Sequence, residues 1–375
     1  MRLEFLSENR IDNKFLGDVL QQLKNDKDKD WSREEAEIIG ELCADLENQI
    51  SSGAKGEPGC RFVLLWNEYN FLIQNDKSLW TRYLIFRYKF DIYPLARKLA
   101  SFPAHIIVEP VSYCNLKCVM CFQRDDTFSG KREYMGTMDV DLYKHIVDEM
   151  VEGGGQALTL TGRGEPTLHP RLGELLGYAK GKFFDFKLNT NAMRLTEEKC
   201  HQILESGVTE LVFSVDSYEK DEYEKIRCGG KFEQVLANIK MFRDIRTSKY
   251  PRAKCRTRIS GVKINPDLKT EEFVSFWREY VDYVVCSSMI DRWDTYNNPK
   301  TNKVNPCRLL WQRMNIWYDG GTNPCDYDYK GLLKSGHVQD SAIREIWKNE
   351  FYSRLREKHL ESKRSEFVPC DRCIF

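Results

Sequence analysis

Three cysteines fall within eight residues, Cys114, Cys118 and Cys121, in the stretch Glu109-Pro-Val-Ser-Tyr-Cys-Asn-Leu-Lys-Cys-Val-Met-Cys-Phe122. They follow His105-Ile-Ile-Val-Glu109, an apolar run that reads as a short buried β-strand. A loop leaving a strand can turn three thiolates toward one point. Three thiolates hold three irons of a four-iron cluster and leave the fourth open to another ligand, whereas four close it. The same loop also suits a zinc ligand set or three buried thiols. A second set lies further on, at Cys307, Cys325, Cys370 and Cys373, and by spacing alone it suits zinc and an iron–sulfur cluster equally.

The composition narrows the setting. The chain has 375 residues, enough for one large domain and a smaller one. Its formal net charge is zero, so it lacks the basic footprint of a nucleic-acid or membrane-surface binder. Charged residues interrupt every apolar run well short of the ~18 residues of a membrane span. The first ten residues carry acids where a secretory signal would have its apolar core. There are 13 cysteines, an odd count without a signal segment. This favours a reducing, cytoplasmic compartment, with thiols used for metal or catalysis rather than disulfides.

Residues 1–104 read as a mostly helical extension, with a capping box at Ser32 and Glu35 ahead of Ala36–Ile50. A loop spans 51–59, and an aromatic-rich amphipathic segment follows from Phe62 to Leu99. From residue 105 the pattern changes to strand–loop–helix repeats. Strands are expected at 105–109, 156–160, 184–188, 209–214, 256–262 and 282–286. Helices are expected at 138–151, 170–180, 196–205, 231–247 and 270–279. Six such units make an α/β fold with a parallel sheet curled into a partial (β/α)6 barrel over 105–292. Residues 293–375 are expected to form a small cysteine-rich domain.

Barrels of this kind carry their chemistry at the C-terminal ends of the strands. Polar residues cluster there. The cysteine loop follows the first strand, and Thr161-Gly-Arg-Gly-Glu-Pro166 follows the second. Asn189-Thr-Asn-Ala192 follows the third, and the fourth ends in Ser214-Val-Asp216. Glu165 beside Gly164 offers a carboxylate and exposed main chain suited to an ammonium group. Asn189 and Ser214 can hydrogen-bond ribose hydroxyls.

On these residues, the segment from about 105 to 290 resembles the radical S-adenosylmethionine (SAM) superfamily. Gly-Arg-Gly-Glu-Pro looks like the glycine–glutamate motif that holds the SAM amino group. Ser214-Val-Asp-Ser with Tyr223-Glu-Lys-Ile-Arg-Cys-Gly-Gly230 looks like the stretch after the fourth strand in relatives with extra clusters. There the serine contacts SAM and the arginine, here Arg227, pairs with its carboxylate. The residue before the third cysteine is often aromatic in the family and is Met120 here, which still supplies an apolar wall. Cys307, Gly320 and Cys325 match the first half of the SPASM pattern, and Ile343-Arg-Glu-Ile-Trp347 through Arg356 reads like its helix. The chain stops two residues after Cys373, as in the shortened twitch form with one auxiliary cluster. The cysteine separations are similar to those of the twitch dehydrogenases of aminocyclitol antibiotic biosynthesis.

The resemblance implies a [4Fe-4S] cluster at Cys114, Cys118 and Cys121 that binds SAM through its open iron. It implies reductive cleavage of SAM to methionine and a 5′-deoxyadenosyl radical, which takes a hydrogen atom from substrate. An auxiliary [4Fe-4S] cluster at the four later cysteines would accept or relay an electron. That role favours net oxidation of a small polyol, sugar or aminocyclitol, with a precursor peptide as the other substrate class. A flavodoxin- or ferredoxin-type protein would supply the electron. Redox-neutral epimerisation needs a thiol hydrogen donor, for which Cys286 and Cys228 are the candidates. Asp291 and Asp216 are candidate bases for a hydroxyl proton.

Overall fold

A reciprocal cap starts the longest helix of the N-terminal unit. The Ser32 hydroxyl and amide both reach the Glu35 carboxylate, at 2.7 and 3.0 Å, and the Glu35 amide returns a bond to Ser32 at 3.3 Å. The computed structural model describes residues 11–52, 61–289 and 294–374. It divides into two compact units, residues 1–100 and 101–375. In the first, the described residues form helices α1 (Asn13–Asp26), α2 (Arg33–Ser52), α3 (Trp66–Gln74) and α4 (Trp80–Ala96), with a single 3-10 turn at Lys77–Leu79 leading into α4. Leu16, Val19 and Leu23 of α1 face Ile38, Ile39, Leu42 and Leu46 of α2 at helical spacing, and all are buried. Where the chain runs extended at 61–64, α2 satisfies its main chain. Asp45 accepts the amides of Arg61 and Phe62, and Gln49 both donates to and accepts from Leu64. Phe71 stacks on Tyr83 at 3.6 Å between ring centres, so part of the aromatic-rich segment is core.

The second unit is built on one sheet. Its elements run β1 (His105–Val108), α5 (Asp126–Ser129), α6 (Val140–Gly153), β2 (Ala157–Leu160), α7 (Leu172–Ala179) and β3 (Asp185–Thr190). Then come α8 (Glu197–Glu205), β4 (Glu210–Ser214), α9 (Lys220–Ile226), α10 (Phe232–Lys249), β5 (Arg256–Lys263), α11 (Thr270–Arg278) and β6 (Tyr283–Ser288). The rest is β7 (Arg313–Ile316), β8 (Gly321–Asn323), β9 (Gly336–His337), α12 (Ile343–Lys348) and α13 (Glu350–Leu360). The sheet order is β6-β5-β4-β3-β2-β1-β7-β8-β9. The strands from β6 to β7 are parallel, and β8 and β9 add in antiparallel sense. The six expected strands are present in consecutive order, as a partial barrel requires.

The C-terminal segment does not stand apart from this sheet. β7 pairs in parallel with β1, His105 opposite Arg313 through Val108 opposite Ile316, so residues 307–374 extend the sheet beside the first strand. These added strands have four, three and two residues. None was expected: β8 and β9 are too short to show an alternating pattern, and β7, as long as β1 and β2, leads into a hairpin rather than the strand–helix repeat that marked those.

Register decides which side chains enter the barrel. In-register residues of neighbouring strands share a face, and that face alternates along each strand. Ile106, Leu158, Leu188, Leu211, Phe213, Ile259, Val284 and Met314 pack with α6–α11 in one apolar core, joined by Ile146, Leu176, Ile239, Phe242, Phe273 and Trp277. The other face is polar. At its N-terminal end Lys187 pairs with Asp185 at 3.0 Å and Glu210 at 3.3 Å, and Arg258 reaches Glu210 at 3.6 Å. Toward the C-terminal end it presents Asn189, Ser214, Ser260 and Val285, linked through Asn189 opposite Val212, Ser214 opposite Ser260, and Ser260 opposite Val285.

Candidate functional site

The cysteine loop is fixed by its neighbours on two sides. Lys117 and Val119 donate main-chain hydrogen bonds to the carbonyls of Cys228 and Ile226, at 2.9 and 3.0 Å. On the other side Gln123 donates to the Ser112 and Arg163 carbonyls, at 2.8 and 2.6 Å. Gly164 has no room for a side chain. A Cβ there would lie 2.3 Å from the Tyr113 oxygen and 2.4 Å from that of Val111. Gly229 takes φ +91° just where the chain turns away from the loop, a conformation that suits glycine. The Tyr223–Gly230 stretch therefore has a structural role: its main chain clamps the loop and its arginine reaches inward.

Each of the three sulfurs receives an N–H. Cys114 Sγ accepts from the Leu116 amide at 3.4 Å and from Asn191 Nδ2 at 3.7 Å. Cys118 Sγ accepts from Arg227 Nη1 at 3.7 Å, and Cys121 Sγ from the Gln123 amide at 3.5 Å. Burial, followed by the Glu165 charge, pushes the Cys114 thiol up to about 12, and Cys118 and Cys121 add to the effect. Burial also raises Cys118, against the opposing pull of Arg227. Thiols so placed resist ionising with protein alone around them, and a cationic iron core supplies the missing counter-charge. None of these cysteines is in a disulfide. The donor set and its N–H donors thus fit an iron–sulfur cluster.

Glu165 is buried and braces the neighbouring strand ends. Its carboxylate accepts from the Thr167 amide and hydroxyl, from the Thr190 hydroxyl at 2.7 Å, and from the Asn191 amide at 2.7 Å. Arg227 is likewise committed: Nε bonds Asp216 at 2.5 Å while Nη1 faces the Cys118 sulfur. Asp216 also accepts the Val262 amide at 2.8 Å, which joins the ends of β4 and β5. Asn189 and Ser214 share the barrel-facing side of the sheet. The Asn189 Oδ1 atom is buried with no hydrogen-bond partner, and the Ser214 side chain makes no hydrogen bond among the described residues. Such an orphan acceptor is what a bound hydroxyl would satisfy.

The two candidate hydrogen-donor thiols do not share that side. Cys286 lies opposite Gly261, on the face of Val284 and Ile259, and packs against the helix-side core. Cys228 is exposed, with its thiol on the Lys225 carbonyl at 3.3 Å behind the cluster loop. Asp291 lies outside the described residues.

Sequence reasoning overlooked the centre of this network. Glu109, at 0% exposure, binds Arg163 through three bonds: to its amide at 2.7 Å, to Nε at 2.8 Å and to Nη2 at 2.6 Å. Arg163 also donates to the Tyr329 carbonyl at 3.1 Å and lies 4.4 Å from the centre of the Trp317 ring. One ion pair thus ties the end of β1, the glycine–glutamate turn and the C-terminal segment. The available signal was an arginine between two glycines and an acid closing the first strand.

The four later cysteines line one small cavity together with Leu310, Tyr327, His359 and Arg364. Burial raises Cys325 and Cys370, and Cys307 adds to both. Arg364, 1% exposed, places its guanidinium on the carbonyls of Asn305, Cys370 and Cys373, a positive charge beside four sulfurs. Four unbridged thiols around one cavity, Cys373 buried and the other three half-buried, fit a closed cluster site.

Residues 108–276 match the radical SAM superfamily, and residues 307–374 match the SPASM iron–sulfur cluster-binding domain. The tungsten-containing aldehyde ferredoxin oxidoreductase cofactor-modifying protein of Pyrococcus furiosus is 33% identical over 113 residues, 30% of this chain and 30% of that protein. The chain thus spans about a third of that relative's length. Two solved structures share the fold. BtrN in complex with AdoMet and 2-DOIA is 19% identical, with a TM-score of 0.50 over 72% of this chain and 93% of its own. Streptococcus suis SuiB bound to S-adenosylmethionine is 15% identical, with a TM-score of 0.56 over 92% and 88%. SuiB has also been solved with its precursor peptide SuiA. With its cysteine loop and glycine–glutamate turn at successive strand ends, the chain belongs to the radical SAM superfamily of enzymes and carries a SPASM iron–sulfur cluster-binding domain.

Proposed function

We propose that the chain is a radical SAM oxidoreductase that converts an alcohol to a ketone on a small polyol, sugar or aminocyclitol. When bound, the SAM cluster at Cys114, Cys118 and Cys121 supplies a 5′-deoxyadenosyl radical, and an auxiliary [4Fe-4S] cluster at Cys307, Cys325, Cys370 and Cys373 supplies an acceptor for the second electron. The observation that carries this reading is the convergence of those four cysteines on one cavity, because full thiolate ligation leaves no position for substrate. A hydrogen atom leaves the carbinol carbon, the hydroxyl proton passes to a base, and the remaining electron leaves the substrate, which balances the oxidation. Asp291 is the proposed base, since Asp216 is held in its bonds to Arg227 and Val262. Asn189 and Ser214 face the barrel with polar groups free for the ribose of SAM. Gly164, Glu165 and Arg227 would shape the methionine end. The absence of a spare thiol on the barrel-facing side among the described residues favours oxidation over epimerisation.

Anaerobic turnover with carbon-deuterated polyols and aminocyclitols tests this. Deuterium in 5′-deoxyadenosine together with a ketone product is expected. Label transfer from a peptide and from no polyol would overturn the substrate class.

One observation favours the peptide as a second reading. The SuiB alignment covers 92% of this chain, whereas residues 101–375 make up 275 of 375, so the likeness extends into the N-terminal unit. The same deuterium assay with candidate precursor peptides separates the two.

A further inference from the structure

We infer that His359 donates its Nε2–H to the sulfurs of the auxiliary cluster and so sets that cluster's reduction potential. The inference rests on the reading of Cys307, Cys325, Cys370 and Cys373 as that cluster's ligands. His359 sits in the last turn of α13 at 0% exposure and lines the same cavity as the four cysteines. Its Nδ1 accepts the Cys307 amide at 3.2 Å. A main-chain amide can only donate, so Nδ1 is the acceptor and the ring proton resides on Nε2. That Nε2 is buried and has no hydrogen-bond partner among the described residues. A buried donor without a partner is costly and rare in a folded protein. Cluster sulfur would satisfy it, and N–H···S bonds to a cluster make it easier to reduce by stabilising the added negative charge. One ring thus does two things: Nδ1 fixes the main chain of the first ligand, and Nε2 faces the site that ligand serves. His359 is thus a positioning and tuning residue with no contact to substrate.

The two roles come apart in a pair of substitutions. In His359→Asn the amide oxygen can stand where Nδ1 stood and keep the Cys307 anchor, but no donor reaches the cavity. In His359→Gln the terminal amide keeps a donor near the Nε2 position. Iron content and the midpoint potential of the auxiliary cluster, from EPR-monitored titration of the reconstituted full-length chain, are the readouts. With full iron content in both variants, His359→Asn should become harder to reduce. The expected shift is about a tenfold fall in the reduced-to-oxidised ratio at a fixed poise, ~59 mV for one electron, with His359→Gln close to wild type. An unchanged potential in His359→Asn, or equal shifts in both variants, would refute the inference while leaving the cluster assignment intact. Should the variants fail to fold, wild-type protein labelled with 15N-histidine provides the second measurement. Hyperfine coupling between the reduced auxiliary cluster and a histidine nitrogen is expected, and its absence refutes the inference. Wild-type protein that binds iron only at the first cysteine set would overturn both readings, an outcome distinct from a silent histidine beside an intact cluster.

Discussion

Replacing Arg163 with methionine tests the central brace of the fold. The substitution keeps an unbranched apolar stem but removes the guanidinium, and leaves the Glu109 carboxylate at 0% exposure without its cation. Removing one partner of a buried ion pair costs about 3–5 kcal/mol, because the survivor is stranded in a poor solvent. The lost contact with Trp317 at 4.4 Å adds up to ~2 kcal/mol where the cation is desolvated. Taking the ion-pair figure alone, and roughly 2–3 °C per kcal/mol for a unit of this size, the unfolding midpoint should fall by roughly 6–15 °C. Tryptophan fluorescence follows the transition, with wild type and variant both measured metal-free so that cluster loss does not confound it. The double variant Glu109→Gln/Arg163→Met removes the stranded charge and should recover at least half the deficit. A midpoint within about 2 °C of wild type, or a double variant no more stable than Arg163→Met, would refute the argument that this pair holds the three segments together.

Three further outcomes follow from the same geometry. Cys118→Ala should abolish SAM cleavage, whereas Cys325→Ala or Cys370→Ala should remove iron from the second site and leave 5′-deoxyadenosine formation measurable; iron analysis beside product assay separates them. Gly164→Ala puts a Cβ 2.3 Å from the Tyr113 carbonyl, which is main chain and cannot swing aside, so the cysteine loop must shift and iron loading should fall, as read by absorbance of the reconstituted protein. For Asp125, burial pushes the carboxyl up, but Lys330, Thr127 and Tyr329 outweigh it and hold it at about 2. Its contribution to stability is therefore whole above the free-carboxylate value near 3.8 and is lost as pH falls through about 2, so the gap in unfolding midpoint between wild type and Asp125→Asn should close over that range.

The fold was legible where a pattern had room to repeat. The six barrel strands span four to eight residues, and the helices between them bury regular apolar faces, so period and order both showed in the sequence. β8 and β9 were invisible because two or three residues carry no period; β7 is as long as β1 and β2 but lies outside the strand–helix repeat that marked those, and its pairing with β1 is a long-range event. The cysteine sets were legible for another reason. Ligand chemistry restricts residue type, and thiols at fixed spacing can be counted without knowing the fold. Arg163, Asn191 and His359 were not, since an arginine, an asparagine or a histidine has many ordinary uses and only its partner discloses which one applies.

Cys286 shows the limit most directly. The sequence places it near the end of the sixth strand, where barrel chemistry belongs, and that placement is correct along the strand axis. Function depends on the axis at right angles. Because side chains alternate, Val285 and Ser287 share the side of Ser214 and Ser260 while Cys286 joins Val284 against the helices. An error of one residue in an expected strand end reverses that outcome, and the end of this strand was placed two residues short of Ser288. A thiol hydrogen donor therefore needs register as well as position, and register was available only from the pairing of β5 with β6. The same test admits Asn189, Ser214 and Ser260 to the barrel side, which supports the oxidation proposed above over an epimerisation served by a neighbouring thiol.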